Sequence, residues 1–151
     1  MIHCRRTNIS DPGFQQLVAR LDAELGERDG TEHDFYAQFN SLASIPYAIV
    51  AYEANEPVGC GALKPYSDDT MEVKRMFVVP ALRGKGIASA VLNALEQWAS
   101  ELGYQNCTLE TGKRQPEAIA LYKKSGYAII PNYGQYENVE NSICFLKKLN
   151  S

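Results

Sequence analysis

The residues from Met71 to Leu102, MEVKRMFVVPALRGKGIASAVLNALEQWASEL, constrain this chain more than any other stretch. They read as a β-strand, a short basic turn with two glycines, and a long amphipathic helix. The stripe Ile87, Val91, Leu95, Trp98 and Leu102, with Ala88, Leu92 and Ala99 beside it, is wide enough to require a sheet beneath it. A helix that follows a strand in this way aims backbone N–H groups and the positive end of its dipole at whatever lies beyond the strand, and the natural guest there is a phosphate. Gly103 ends the helix, and Cys107 to Glu110 reads as the next strand. Strand, helix and strand form a crossover unit, so these two strands are expected to run parallel.

The flanks fill in an α/β (α+β) domain spanning residues 1–151. Met1 to Ile9 reads as a first strand. Asp11-Pro12 reads as an N-cap with proline at the first helical position, followed by Phe14, Leu17, Val18, Leu21 and Leu25 at helical spacing and a stop at Gly26. Thr31 and Asp34 resemble a capping box for a short second helix with Phe35, Phe39 and Leu42 on its apolar stripe. Tyr47–Glu53, Val58–Lys64 and Glu72–Val79 form a three-stranded meander. In the last of these, strict alternation puts Glu72, Lys74 and Met76 on one face and Val73, Arg75 and Phe77 on the other. Beyond the crossover come a helix from Pro116 to Gly126, a short strand Tyr127–Ile130, a tyrosine-rich loop Pro131–Asn141, and a last strand Ser142–Leu149. The expected architecture is a mixed, mostly antiparallel sheet of six to seven strands flanked by about four helices.

The sequence of 151 residues is long enough for one well-packed core. No apolar run approaches membrane-spanning length and the N-terminus lacks the apolar stretch of a signal peptide, so a cytoplasmic protein without a membrane partner is expected. The four cysteines, Cys4, Cys60, Cys107 and Cys144, share no C-x-x-C spacing; they read as small buried hydrophobes, and no metal site is expected. Between Lys74 and Lys124 lie eight basic residues (Lys74, Arg75, Arg83, Lys85, Lys113, Arg114, Lys123, Lys124) and four acids (Glu96, Glu101, Glu110, Glu117). That window carries +4, so the rest of a chain whose net charge is −3 sums to −7. One basic segment in an acidic protein suits a small anionic ligand better than a nucleic acid, which wants a broadly basic face.

Two glycine motifs can be set aside. Gly84-Lys85-Gly86-Ile87-Ala88-Ser89 lacks the third glycine of a dinucleotide fingerprint, four residues separate the strand from the first glycine, and the unit lies mid-chain after a meander. This counts against a nicotinamide oxidoreductase. A P-loop would end in Gly-Lys-Ser/Thr, which is missing.

Arg83-Gly84-Lys85-Gly86-Ile87-Ala88 instead resembles the R/Q-x-x-G-x-G/A pyrophosphate signature of the GCN5-related N-acetyltransferases, and Ala118, Leu121, Tyr122 and Gly126 resemble that family's second motif, N-x-x-A-x-x-L-Y-x-x-x-G-F/Y. The order of elements is similar too, over nearly the whole chain. One departure stands out: Gln115 occupies the position where the family commonly has asparagine. The resemblance implies an acyl-CoA N-acyltransferase fold and acetyl-CoA as acyl-donor cosubstrate, with no metal. It implies transfer of acetyl to a primary amine, on a small molecule or on a peptide or protein, by direct attack in a ternary complex. The alternative is a non-catalytic acetyl-CoA or CoA sensor. Homodimers are common in the family.

By that resemblance the cofactor-binding residues are Phe77, Val78, Val79, Arg83, Gly84, Lys85, Gly86, Ile87, Ala88, Ser89, Gln115 and Ala118. The chemistry supports the assignment. Glycines let the turn backbone approach the pyrophosphate closely, Arg83 and Lys85 bring countercharge, and the strand Phe77–Val79 offers backbone groups to the pantetheine arm. Acyl transfer from a thioester to an amine needs alignment, a deprotonated amine, a stabilised oxyanion and a protonated leaving thiolate. Tyr122 matches the family's acid and Glu72 its base. Tyr133 and Tyr136, with Glu137, are candidates to wall the acceptor site, where aromatics with a carboxylate suit an ammonium; His33 and Asp34 are weaker candidates on the early helical side.

Overall fold

The computed structural model describes residues 2–29 and 45–149 of the chain. The elements run β1 (Ile2–Thr7), α1 (Pro12–Asp29), β2 (Tyr47–Glu53), β3 (Glu56–Pro65), β4 (Thr70–Val78), α2 (Ile87–Glu101), β5 (Asn106–Gly112), α3 (Pro116–Lys124), β6 (Ala128–Ile130) and β7 (Ser142–Lys148). The seven strands make one sheet in the order β1-β2-β3-β4-β5-β7-β6. Only β4 and β5 pair in parallel; every other neighbouring pair is antiparallel. The expected mixed sheet and its parallel crossover are therefore present, with three α-helices among the described residues. The short helix expected over Phe35 to Leu42 lies outside them, as do His33 and Asp34. Two boundaries move. α1 runs on past Gly26, and the central helix starts at Ile87 rather than near Gly84, because a 3₁₀ turn at Pro80–Leu82 and the glycine loop come first.

Alternation along β2 builds two cores, one on each face. Ile49 and Ala51 join Leu63, Met71, Val73, Cys107 and Leu109 beneath α2, whose Ile87, Val91, Leu92, Leu95 and Ala99 are all buried. Ala48 and Val50 join Cys60, Ala62 and Phe77 beneath Phe14, Leu17, Val18 and Leu21 of α1. Gly59 and Gly61 let α2 sit close on β3: a Cβ at Gly61 would lie 2.7 Å from Leu95 Cδ1, and one at Gly59 would lie 2.8 Å from Ile87 Cγ2.

The strict alternation expected for β4 fails at Arg75. Cys60 is opposite Phe77 but Ala62 is opposite Lys74, so Arg75 and Met76 together face Gly61. This is a β-bulge, with Arg75 at φ 59. It costs about 1–2 kcal/mol as a left-handed non-glycine residue. Its effect is a change of parity. Met71 and Val73 before the bulge, and Met76 and Val78 after it, all pack on the α2 side. Phe77 packs on the α1 side, and Arg75 pairs there with Asp22 of α1. Glu72 and Lys74 share that face, so Lys74 and Arg75 are neighbours on it.

Candidate functional site

β4 and β5 are paired only from Thr70 to Glu72, against Asn106 to Thr108. Past Glu72 the two strands part, because β4 turns at the bulge while β5 continues alongside β7 to Gly112. Between them opens a cavity of about 480 Å³. Its walls are the freed edge of β4 from Glu72 to Val78, the end of β5 from Glu110 to Gly112, the glycine loop with the first turn of α2, and the inner face of α3.

The loop end is made of backbone. Gly84 and Gly86 have φ of 80 and 87, in the left-handed region where glycine is at ease, and nothing lies within 4 Å of a Cβ placed on either. Gly86 is the N-cap of α2 and no side chain caps the helix there. The first-turn N–H groups of α2 therefore meet open space at the mouth of the cavity, as an anion would require. Arg83 lines the cavity but is already engaged: Nε donates to the Val78 carbonyl at 2.9 Å and Nη2 reaches Glu24 of α1 at 2.7 Å. Lys85 is exposed and outside the lining. The sequence made both residues countercharge at the rim; in the structure Arg83 ties the loop to α1.

Of the other expected cofactor residues, Phe77, Val78, Gly84, Gly86, Ile87, Ala88, Ser89, Gln115 and Ala118 line the cavity together. Val79 does not, and its N–H donates to Val58 at 3.0 Å. Gln115 is the N-cap of α3 through its backbone only. An open helix start, left-handed glycines with free space above them and a cleft beside an unpaired strand edge all fit a pyrophosphate with a narrow arm attached.

The other end is made of side chains. Tyr122, on the inner face of α3, is buried against Tyr127 and Phe145 and lines the cavity. Burial, and then the charge of Glu110, push its phenol above the usual range, so it stays protonated. Glu72 lines the cavity from β4 with its side chain 6% exposed. Tyr133 donates to Glu72 Oε2 at 2.8 Å, and Lys74 Nζ lies 3.8 Å from Oε1. Lys74 also donates to the Tyr136 hydroxyl at 3.4 Å. Burial pulls the Lys74 ammonium below its ordinary value, against the opposing pull of Glu72. Tyr136 lines the cavity while Tyr133 stands behind Glu72.

Lys74, Arg75 and Glu110 also line the cavity, and sequence reasoning left them out. Ser142 donates to Glu110 Oε2 at 2.6 Å. A signal was available for Lys74 and Glu110: a charge inside an otherwise apolar strand needs a partner or a cleft. For Arg75 there was none, since its face depends on the bulge. The cysteines take no part. All four are free thiols, none lines the cavity, and burial pushes the thiols of Cys60 and Cys107 up to about 12 and that of Cys144 to about 11. No group of residues that could hold a metal occurs among the described residues, and no helix there is long and apolar enough to cross a membrane.

Comparison with known proteins agrees with this geometry. A crystal structure from Klebsiella pneumoniae superposes with a TM-score of 0.83 at 28% identity over 99% of both chains. A GNAT family acetyltransferase from Elizabethkingia anophelis with acetyl-CoA bound shares the fold, with a TM-score of 0.73 at 20% identity over 98% of both chains. The IAA acetyltransferase of Azospirillum brasilense is 37% identical over 123 residues, 80% of either chain. The uncharacterized N-acetyltransferase YjgM of Escherichia coli is 35% identical over 136 residues, 82% of this chain and 80% of that one. The pattern of the Acetyltransferase (GNAT) family spans residues 14–127. With that match, and relatives of this similarity over four-fifths of their length, the chain belongs to the GNAT family of acetyltransferases.

Proposed function

We propose that this chain transfers the acetyl group of acetyl-CoA to a primary amine by direct attack, with the cosubstrate and the acceptor bound together. The observation that carries this reading is the shared cavity: an anion-receiving loop, an opened strand edge, a buried carboxylate and a buried phenol all face the same space. When bound, acetyl-CoA supplies an acetyl group activated as a thioester. Gly84, Gly86 and the first-turn N–H groups of Ile87, Ala88 and Ser89 receive its pyrophosphate; Phe77, Val78, Gln115 and Ala118 flank the arm. Glu72 accepts a proton from the attacking nitrogen. Tyr122 holds on its phenol oxygen the proton that the departing sulfur requires. Tyr136, with Tyr133 behind Glu72, walls the acceptor side. The buried, high-lying thiols argue against a cysteine as acyl carrier.

The test is thiol release from acetyl-CoA with a panel of amines: the twenty amino acids, spermidine, phenethylamine, kanamycin and a lysine-containing dipeptide. Saturable release with at least one of them, accompanied by its N-acetylated product, is the expected result. Tight acetyl-CoA binding with no release across the panel would replace this reading with that of a cofactor sensor.

A further inference from the structure

We infer that Tyr133 is a positioning residue for the reaction: its hydroxyl fixes the Glu72 carboxylate so that one oxygen is held and the other is presented to the acceptor. This deepens the reading of Glu72 as the base and rests on it. The two carboxylate oxygens are in different situations. Oε2 accepts the Tyr133 proton at 2.8 Å. Oε1 faces Lys74 at 3.8 Å, close enough for charge attraction but too far for a hydrogen bond, so its lone pairs remain available to a proton from the cavity. Glu72 lines the cavity and Tyr133 does not, so the phenol approaches from behind.

Tyr133 is itself held. Its ring meets Tyr66 edge-on at 4.9 Å and Tyr136 at 5.8 Å. The 3₁₀ turn that follows it, Gly134–Tyr136, begins at a glycine with φ 52. That turn carries Tyr136 back to the ammonium of Lys74 at 3.4 Å. The loop thus delivers two hydroxyls to two consecutive inward side chains of β4, one to the anion and one to its neighbouring cation. Burial and the Glu72 charge raise the Tyr133 phenol above the usual range, so the hydroxyl keeps its proton and remains a donor. A buried carboxylate needs such a partner, because removing one leaves an oxygen without water or protein to replace it. Among the described residues, the charged and titratable groups around Glu72 include Lys74 and Arg75 on β4, Lys64 across on β3, Glu110 on β5, Tyr122 on α3, Cys144 on β7, and Tyr133 and Tyr136 from the loop.

The test is a double-mutant cycle of Tyr133→Phe and Glu72→Gln, using the amine with the fastest thiol release in the panel above. Tyr133→Phe keeps the ring and its contacts while deleting the donor. It is expected to lower kcat about ten- to a hundred-fold, the range for a hydrogen bond to a charged group. Acetyl-CoA Kd should stay unchanged within about two-fold, so that the loss falls on kcat and not on cosubstrate binding. In the Glu72→Gln background the same substitution should change nothing further, because the group it positions is gone. Replacement of Tyr133 by p-aminophenylalanine, which keeps the ring and places an N–H donor at the para position, should recover part of the rate, and it carries the test if Tyr133→Phe does not fold. Turnover surviving Glu72→Gln would remove the base and this inference together. Loss with Glu72→Gln but an unmoved rate with Tyr133→Phe would overturn only the inference, as would losses that multiply in the double variant.

Discussion

The two ends of the cavity are built from different material. At the glycine loop the groups proposed to bind are backbone N–H donors, and the side chains around them are absent (Gly84, Gly86), exposed (Lys85) or engaged elsewhere (Arg83 with Glu24 and the Val78 carbonyl). At the other end the cavity and its backing are made of side chains of four separate elements: Glu72 and Lys74 from β4, Glu110 from β5, Tyr122 from α3, and Tyr133 and Tyr136 from the loop before β7. A backbone site depends on conformation and tolerates changes in neighbouring side chains. A side-chain site depends on atoms that single substitutions delete. Substitutions at the two ends should therefore fail in different ways: the loop through affinity, the far end through rate.

The largest effect belongs to the loop. Gly86→Glu puts a side chain on a residue at φ 87 and a negative charge at the start of α2. The space above Gly86 is empty, so steric collision within the protein is not the cause of failure. The backbone must instead leave the left-handed region or bear the strain, and the carboxylate occupies the ground meant for an anion. Acetyl-CoA affinity, measured calorimetrically, is expected to fall about a hundred-fold, the worth of one or two hydrogen bonds to a charged group, while stability falls only by about 1–2 kcal/mol, the cost of a left-handed non-glycine residue. Retained affinity would break the comparison, since it would mean that the pyrophosphate is held elsewhere.

Tyr122→Phe tests the opposite end. It deletes one buried hydroxyl and preserves the ring packing on Tyr127 and Phe145. Loss of a general acid is typically worth about 10²–10⁴ in rate, so kcat should drop by about a hundred-fold with acetyl-CoA Kd unchanged. A fall in affinity with kcat preserved would make Tyr122 part of the binding end. An unchanged kcat would leave the departing sulfur to find its proton from another source.

This division also explains what could be read from the residues alone. A backbone site is written locally: R-x-x-G-x-G between an apolar strand and an amphipathic stripe reports its own conformation, and the loop's φ values agree with it. The sheet was legible for the same reason, because the apolar run in Tyr47–Glu53 and the strand–helix–strand order between Glu72 and Glu110 are written in contiguous sequence. The side-chain end is written in pairings. Alternation placed Glu72 and Lys74 on the same face correctly but put Arg75 on the opposite one, because the single residue gained at the bulge is visible only in the register of β4 against β3. Lys74 and Arg75 therefore read as charges on two faces of a strand when they are neighbours on one. Tyr133 illustrates the same limit. The loop around it looked like a wall for the acceptor, and no spacing within Pro131–Asn141 shows that its hydroxyl reaches a carboxylate 61 positions earlier in the chain.

α1 is the element that touches both ends, and it supplies the smallest test. Asp22 pairs with Arg75 beside the bulge at 2.8 Å, and Glu24 pairs with Arg83 beside the glycine loop at 2.7 Å. The start of α1 is fixed by Asp11, whose Oδ1 accepts the N–H groups of Gly13 at 2.8 Å and Phe14 at 3.2 Å. Burial alone would raise this carboxyl. The bonds from Phe14, Thr7, Gly13 and Tyr52 outweigh it and hold the group below 3.8. A lowered folded value means that Asp11 adds stability above the unfolded value, near 3.8, and that the contribution is lost as the pH falls through the lower, folded one. Asp11→Ala should therefore cost about 1 kcal/mol at neutral pH, the usual worth of an N-cap. Denaturant melts of the two proteins should converge as the pH drops below about 4. Because the cap sits more than two helical turns from Asp22, both acetyl-CoA affinity and kcat should stay within about two-fold of the parent. A large loss in affinity alone, or in rate alone, would show that α1 serves one end of the cavity and not the other, and would identify which of its two ion pairs carries the coupling.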